Sequence, residues 1–199
     1  MRLLEKAIRE KGKVLPGDVL KVGAFLNHQL DVRLLKKIGN DIYKHFKDCG
    51  VTKILTVEAS GIGLACLTAQ FFDCNVVFAK KGKSSNVDGD VYSAECFSYT
   101  HGNRNTLIVP KEYLPSSDRV LFIDDFLAHG EAVRACRELV RQSGATLVGI
   151  GIAVEKGFQG AGDELRRDGI DCYSAAIIEK MTPKRITFRR SEENSSENE

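Results

Sequence analysis

The sequence carries almost no excess charge. Its 29 lysines and arginines face 27 aspartates and glutamates, for a net +2 at pH 7. So close a balance argues against bulk binding to nucleic acid or to a membrane surface. Long apolar runs are missing too. Nothing approaches the roughly 20 residues of a membrane span. The N-terminus, MRLLEKAIREKGK, is charged and amphipathic and has no apolar core of signal-peptide length. The six cysteines, at 49, 66, 74, 96, 136 and 172, form no CxxC pair, and most sit among apolar neighbours. They read as buried thiols in a reducing compartment, not as a disulfide frame or a zinc site. His28, His45, His101 and His129 show no metal-ligand spacing. No internal repeat is present. These absences predict a cytoplasmic protein with no residue assignable as a metal ligand.

What is present has the makings of one globular domain. Apolar residues make up 43% and charged residues 28% of the 199, the balance of a water-soluble fold with a sizeable core. Ser191 to Glu199 holds four glutamates and no basic residue, so the preceding 190 residues carry a net +6. That mild excess suits a small anionic substrate. The tail itself is predicted to be disordered, leaving residues 1–190 as the domain.

Helical periodicity predicts a short helix over Arg2 to Lys11 and a firm one over about Asp31 to Cys49. In the second, Leu34, Leu35, Ile38, Ile42 and Phe46 share a stripe, Asp31 is the N-cap and Gly50 the stop. The Gly/Pro-punctuated stretch between them reads as irregular or β-containing. The centre then alternates. KILTVEA, NVVFAKK, VLFID, TLVGIGIAVEK and CYSAAIIEK are buried strands, with helices from about Leu64 to Phe72 and from Glu131 to Ser143. Continuous apolar strands alternating with helices predict an α/β fold with a central parallel sheet flanked by helices. VYSAECFSYT and NTLIV read as a β-hairpin with a polar turn at Thr100 to Asn105. With the Ser/Gly/Asp-rich stretch before it, this insertion over about 82–105 is a candidate mobile lid. Ligands of such sheets bind beyond the carboxyl ends of the strands, so the chemistry belongs there.

One strand end stands out. VLFIDDFLAHGEA runs four apolar residues into Asp124 and Asp125, then through a short glycine-bearing loop into a helix. Loop amides and the helix dipole form a phosphate cradle. Two adjacent carboxylates beside a phosphate need something else to hold, such as sugar hydroxyls or a magnesium ion bridging sugar and phosphate. A single N-cap aspartate would be the plain alternative, but a cap needs one carboxylate, not two.

This pattern resembles the phosphoribosyl pyrophosphate-binding motif of the type I phosphoribosyltransferases. The resemblance implies that Asp124 and Asp125 hold the ribose 2′ and 3′ hydroxyls. It implies that Ala128, His129, Gly130, Glu131 and Ala132 hold the 5′-phosphate, and that Mg²⁺ accompanies the substrate. The loop departs from the usual pattern in having no serine or threonine hydroxyl. Some 6-oxopurine members carry an acid near the start of this loop, opposite purine N7, where this chain has Ala128.

The other strand ends fit the same resemblance. TVEASGIG would bind pyrophosphate through Ala59, Ser60 and Gly61; a plain strand-to-helix turn with a serine cap is the alternative. Lys80, Lys81 and Lys83 follow the next strand, where cations can neutralise departing pyrophosphate, though lysine clusters also occur in solvated loops. Lys81 is the catalytic candidate. Beyond the fourth strand, Lys156 can donate to a purine carbonyl and Phe158 can stack on the base, against the reading of a surface lysine and a core phenylalanine.

From LEKAIREKGKVLPGDVLKVGAFLNHQLD through IDDFLAHGEA, over about residues 1–190, the chain resembles the xanthine-using bacterial purine-salvage members of that family. The resemblance implies the type I phosphoribosyltransferase fold, with an N-terminal hood over about residues 1–30 that brings Leu20 and Asn27 to xanthine. It also implies a homodimer that consumes xanthine and phosphoribosyl pyrophosphate. Two other readings stay open: a non-catalytic sensor of phosphoribosyl pyrophosphate, and the same chemistry on guanine, hypoxanthine or another base.

Overall fold

The structure, a computed structural model, describes residues 1–82, 90–98 and 103–189. The amphipathic N-terminus forms α1 (Arg2–Lys11), burying Leu4, Ala7 and Ile8. A two-stranded antiparallel ribbon follows, β1 (Lys13–Leu15) and β2 (Val19–Lys21). Its turn is sharp, with Gly17 and Asp18 both at positive φ. The hood ends in a single π-helical segment, Gly23–Asn27, which sinks Phe25 and Leu26 into the core.

Helix α2 (Val32–Phe46) starts where Asp31 caps it, accepting from the Leu34 amide at 3.1 Å. It stops three residues before the expected Cys49. Lys47 to Cys49 form a turn ahead of Gly50, whose φ is +65°. The predicted stripe is wholly buried. Each large apolar side chain on it contributes about 1.5–3 kcal/mol. The helix lies directly on the sheet because strand β8 (Thr146–Lys156) presents glycines beneath it. A Cβ at Gly149 would fall 2.3 Å from Phe46 Cε1, and one at Gly151 would fall 2.8 Å from Ile42 Cγ2.

Strand β3 (Lys53–Val57), helix α3 (Ser60–Phe72), β4 (Asn75–Lys81), β7 (Arg119–Leu127), α4 (Glu131–Ser143), β8, α5 (Ala161–Arg167) and β9 (Cys172–Thr182) alternate along the chain. Strands β9, β8, β7, β3 and β4 are parallel neighbours. These are the expected parallel centre, and antiparallel strands extend it at both edges. The insertion forms the hairpin β5 (Val91–Ser98) and β6 (Asn103–Pro110), and β6 joins β4 antiparallel. At the other edge β10 (Arg185–Phe188) folds back antiparallel on β9. The full order is β10-β9-β8-β7-β3-β4-β6-β5.

The core divides around this sheet. One buried cluster joins α1, the hood, α2 and α3 to one face, through residues such as Leu121 and Ile123. The other joins α4 and the hairpin to the opposite face, through Val120 and Phe122. Alternate residues of β7 thus feed opposite layers, as the pleat requires. A buried ion pair braces the end of β8. Arg166 of α5 donates to Glu155 at 3.1 and 2.6 Å, and Glu155 also accepts from Ser174.

Candidate functional site

A cleft of about 520 Å³ opens at the carboxyl ends of the parallel strands. Asp124, Lys81, Lys156, Ser60 and Ala128 to Ala132 line it, together with Cys96, Phe97 and Asn105 of the hairpin. The predicted strand ends therefore converge in one place.

The two aspartates lie inside strand β7 and not just past it. The strand pairs on to Leu127, because the long β8 offers partners as far as Glu155. Consecutive strand residues face opposite ways, and the two carboxylates have different surroundings. Asp124, 8% exposed, faces the cleft and accepts from the Asp125 amide at 2.9 Å. Desolvation first, and then the neighbouring Asp125 charge, push its carboxyl well above the usual carboxylate range; Lys81 pulls it down. Asp125, 4% exposed, turns toward the hood. Its Oδ1 accepts from Ser60 Oγ at 2.7 Å and its Oδ2 from Asn27 Nδ2 at 3.1 Å. One carboxylate thereby touches both the turn after β3 and the hood.

Helix α3 begins at Ser60, four residues earlier than its apolar stripe suggests, so the SGIG turn is its first turn. The Glu58–Ala59 peptide before it is cis. Gly61 is buried beneath the turn, and a Cβ there would sit 2.2 Å from Thr56 Oγ1 and 2.9 Å from Asp124 Oδ1. The Thr56 hydroxyl is buried with no hydrogen-bond partner among the described residues. Ala59 and Gly61 frame this wall of the cleft, and Ser60 is the member of the trio that lines it.

Across the cleft, α4 starts at Glu131 after Gly130, whose φ is +80°. No side chain caps the helix. Its first amides point into the cleft region without intrahelical acceptors, the arrangement that binds anions. The Arg134 guanidinium ties the loop from outside, donating twice to the His129 carbonyl at 2.9 and 2.7 Å and pairing with Glu131 at 2.9 Å. Glu131 itself still lines the cleft.

The lysines separate by strand alternation. Lys81 lines the cleft, and its amide donates to Glu58 Oε1 at 2.7 Å. Lys80 points to the other face, over the Phe78 ring. Lys83 lies outside the described residues, as do the leading part of the proposed lid (83–89), residues 99–102 around its turn and the acidic tail.

At the end of β8, Lys156 is half-buried and donates to the Asp18 carbonyl of the β1–β2 turn at 2.8 Å. Burial lowers its ammonium pKa, and the charge of Asp18 opposes the shift. Phe126 lies beneath it, with Nζ 5.9 Å from the ring centroid, and lines the cleft. Phe158 is 39% exposed on the next turn and does not line it. Leu20 is buried in the core, and Gly17 and Val19 of the same turn are the residues of the N-terminal segment that line the cleft. Sequence reasoning missed Phe126, Val19, Gly17 and Gln159. The first had a signal available: it follows the aspartates on the same strand.

A sequence model of the phosphoribosyl transferase domain matches residues 21–171. The chain belongs to the phosphoribosyltransferase family. Among phosphoribosyltransferase relatives, the xanthine phosphoribosyltransferase of Ruminiclostridium cellulolyticum is 52% identical over 94% of this chain and 99% of its own length. That of Bifidobacterium longum subsp. infantis is 54% identical over 95% and 100%. Among solved phosphoribosyltransferase structures, the adenine enzyme of Giardia lamblia, complexed with 9-deazaadenine, superposes with a TM-score of 0.74. The match covers 89% of this chain and 98% of that one at 22% identity. The Rhodothermus marinus adenine enzyme gives 0.69 over 89% and 100% at 19% identity. These structural matches show the type I fold.

Proposed function

We propose that this enzyme transfers the 5-phosphoribosyl group from phosphoribosyl pyrophosphate to N9 of xanthine, giving xanthosine monophosphate and pyrophosphate. One observation carries the reading. A single cleft holds a buried carboxylate, an uncapped helix start, a lysine on the β4 end and a half-buried lysine on the β8 end, in a chain over half identical to named xanthine phosphoribosyltransferases.

In this reading the start of α4, Ala128 to Ala132, receives the 5′-phosphate on backbone amides. Asp124 and Asp125 accept from the ribose hydroxyls. The turn at Ala59, Ser60 and Gly61 faces the pyrophosphate, and Lys81 neutralises it as the C1′–oxygen bond breaks. Positive charge grows at C1′ as that bond opens and the C1′–N9 bond forms. The base lies against Phe126, with Lys156 donating to a carbonyl of xanthine. Asn27 supplies an amide with both donor and acceptor, while Leu20 acts through the packing of the hood and Phe158 closes the outer edge. The hairpin, which lends Cys96, Phe97 and Asn105 to the cleft, serves as the lid that excludes water.

Magnesium fits this donor set as a guest of the substrate. Among the described residues no cluster of three or more histidine, cysteine or acidic side chains could hold a metal by itself. Asp124, a buried carboxylate held above its ordinary pKa, is the group here that would gain from a cation. Bound with the substrate oxygens, the ion would supply charge neutralisation for the leaving group. Dimer formation and a cytoplasmic location belong to the same proposal; the first rests on the family resemblance and the second on the cysteine pattern and the charged N-terminus, and sedimentation of the purified chain tests the first.

The test is pyrophosphate release with Mg²⁺, phosphoribosyl pyrophosphate and each of xanthine, guanine, hypoxanthine, adenine and orotate. Xanthine is expected to be the best acceptor. Release with none of the five would overturn the enzyme reading, and a preference for adenine, which has no carbonyl, would overturn the role of Lys156.

A further inference from the structure

We propose that Asp125 couples sugar binding to base recognition by exchanging Asn27 for a ribose hydroxyl. The inference rests on the reading above, in which Asp125 receives the sugar and Asn27 the base.

The two groups are already in contact with each other. Asp125 is almost fully buried and is not a lining residue of the cleft. Its carboxylate is bracketed by the Ser60 hydroxyl at 2.7 Å and the Asn27 amide at 3.1 Å. Its oxygens have lone pairs to spare, but with 4% of Asp125 exposed a sugar hydroxyl reaches them only where a covering neighbour moves aside. Ser60 is the harder to move: its bond is the shorter, and it stands at the start of α3 with Gly61 wedged against Thr56 and Asp124 behind it. Asn27 is the easier. It ends a π-helical segment, its bond is longer, and its side-chain carbonyl meets, among the described residues, the exposed His28 ring at 3.4 Å. The Asp125 carboxyl is the acceptor that the Asn27 amide has in this structure. While Asp125 holds it, Asn27 is not available to a base. Once a hydroxyl takes its place, the amide is released toward the base pocket. Sugar binding then strengthens base binding, and by linkage the reverse holds by the same factor.

The test uses ribose 5-phosphate, which has the hydroxyls and the phosphate but no leaving group, so nothing turns over. Calorimetric titration should give xanthine binding to the full chain about tenfold tighter with saturating ribose 5-phosphate. Inorganic phosphate, which has no ribose hydroxyls, should give no tightening. The decisive variant is Asn27→Ala, with its fold checked by circular dichroism. It should weaken xanthine binding yet tighten ribose 5-phosphate binding severalfold, because the sugar no longer has an amide to displace. A merely structural role for Asn27 would weaken both. Asp125→Asn should leave xanthine affinity indifferent to the sugar. Equal xanthine affinity with and without ribose 5-phosphate in the wild type overturns the inference, and so does unchanged or weaker sugar binding in Asn27→Ala. The sugar arm contains no base, so it decides the exchange even if the acceptor proves not to be xanthine; absent turnover counts against the substrate reading instead.

Discussion

Asp124 keeps an ionisable group where folding alone would not choose one. In an unfolded chain its carboxyl titrates near 3.9, while burial and Asp125 hold it well above that in the fold. The folded state therefore binds this proton more tightly. The resulting stabilisation is complete below the unfolded value and is lost as pH rises through the raised one. Near neutrality the residue strains the protein it serves. Asp124→Asn keeps the shape and the acceptor for the Asp125 amide but cannot ionise. It should melt higher than the parent at pH 7, with the gap closing as pH falls below about 4. Each kcal/mol corresponds to about 2–4 °C for a chain of this size. Turnover should fall at least about 100-fold through loss of the charge. Melting curves across pH, paired with an activity assay, check both. The acids themselves were legible from their adjacency at a strand end. Their unlike roles were not, because a strand's alternation separates neighbours only once its last paired residue is known. The outward position of Phe158 was hidden for a related reason: the stretch after β8 forms a tight turn whose direction the sequence pattern does not report.

Among the elements, α3 is the most exacting in its placement. Its first turn can approach β3 and β7 only because residue 61 has no side chain. Gly61→Ala would press a methyl against the Thr56 hydroxyl on a buried strand, which cannot withdraw. The turn should shift outward and disturb Asp124. We expect kcat/KM for phosphoribosyl pyrophosphate to fall about 100-fold, the usual cost of misplacing a catalytic group by about 1 Å. Gly63, two residues on, is the control. A methyl there meets Leu30 Cδ1 at 2.6 Å, the tip of a partly exposed side chain that can rotate. Gly63→Ala should keep kcat/KM within about twofold, and steady-state kinetics on the two variants checks the contrast. The helix was readable from its apolar residues only from Leu64 onward, because the glycines of its first turn carry no hydrophobic signal. For the same reason the short α5, with polar residues and little stripe, and the edge strand β10, half-buried and only four residues long, went unread.

At the scale of the whole molecule, alternation of buried strands and helices was enough to foresee the parallel centre and the side on which ligands bind. The hairpin was foreseen too, but not its pairing with β4 nor the edge strand β10, since hydropathy reports burial and not which strands pair. The two-layer core has a further consequence for how the protein breathes. Strand β7 sends Asp125 toward the layer of the hood, α2 and α3, while Asp124 faces the cleft between the hairpin and α4. Layers that share only a sheet can open independently, each at its own free energy. A sugar held by both carboxylates would rivet the layers into one cooperative unit. Amide hydrogen exchange followed by mass spectrometry should then report different opening rates for α3 and α4 in the free protein. With ribose 5-phosphate bound, the two rates should slow and converge, although the ligand covers only the ends of both helices.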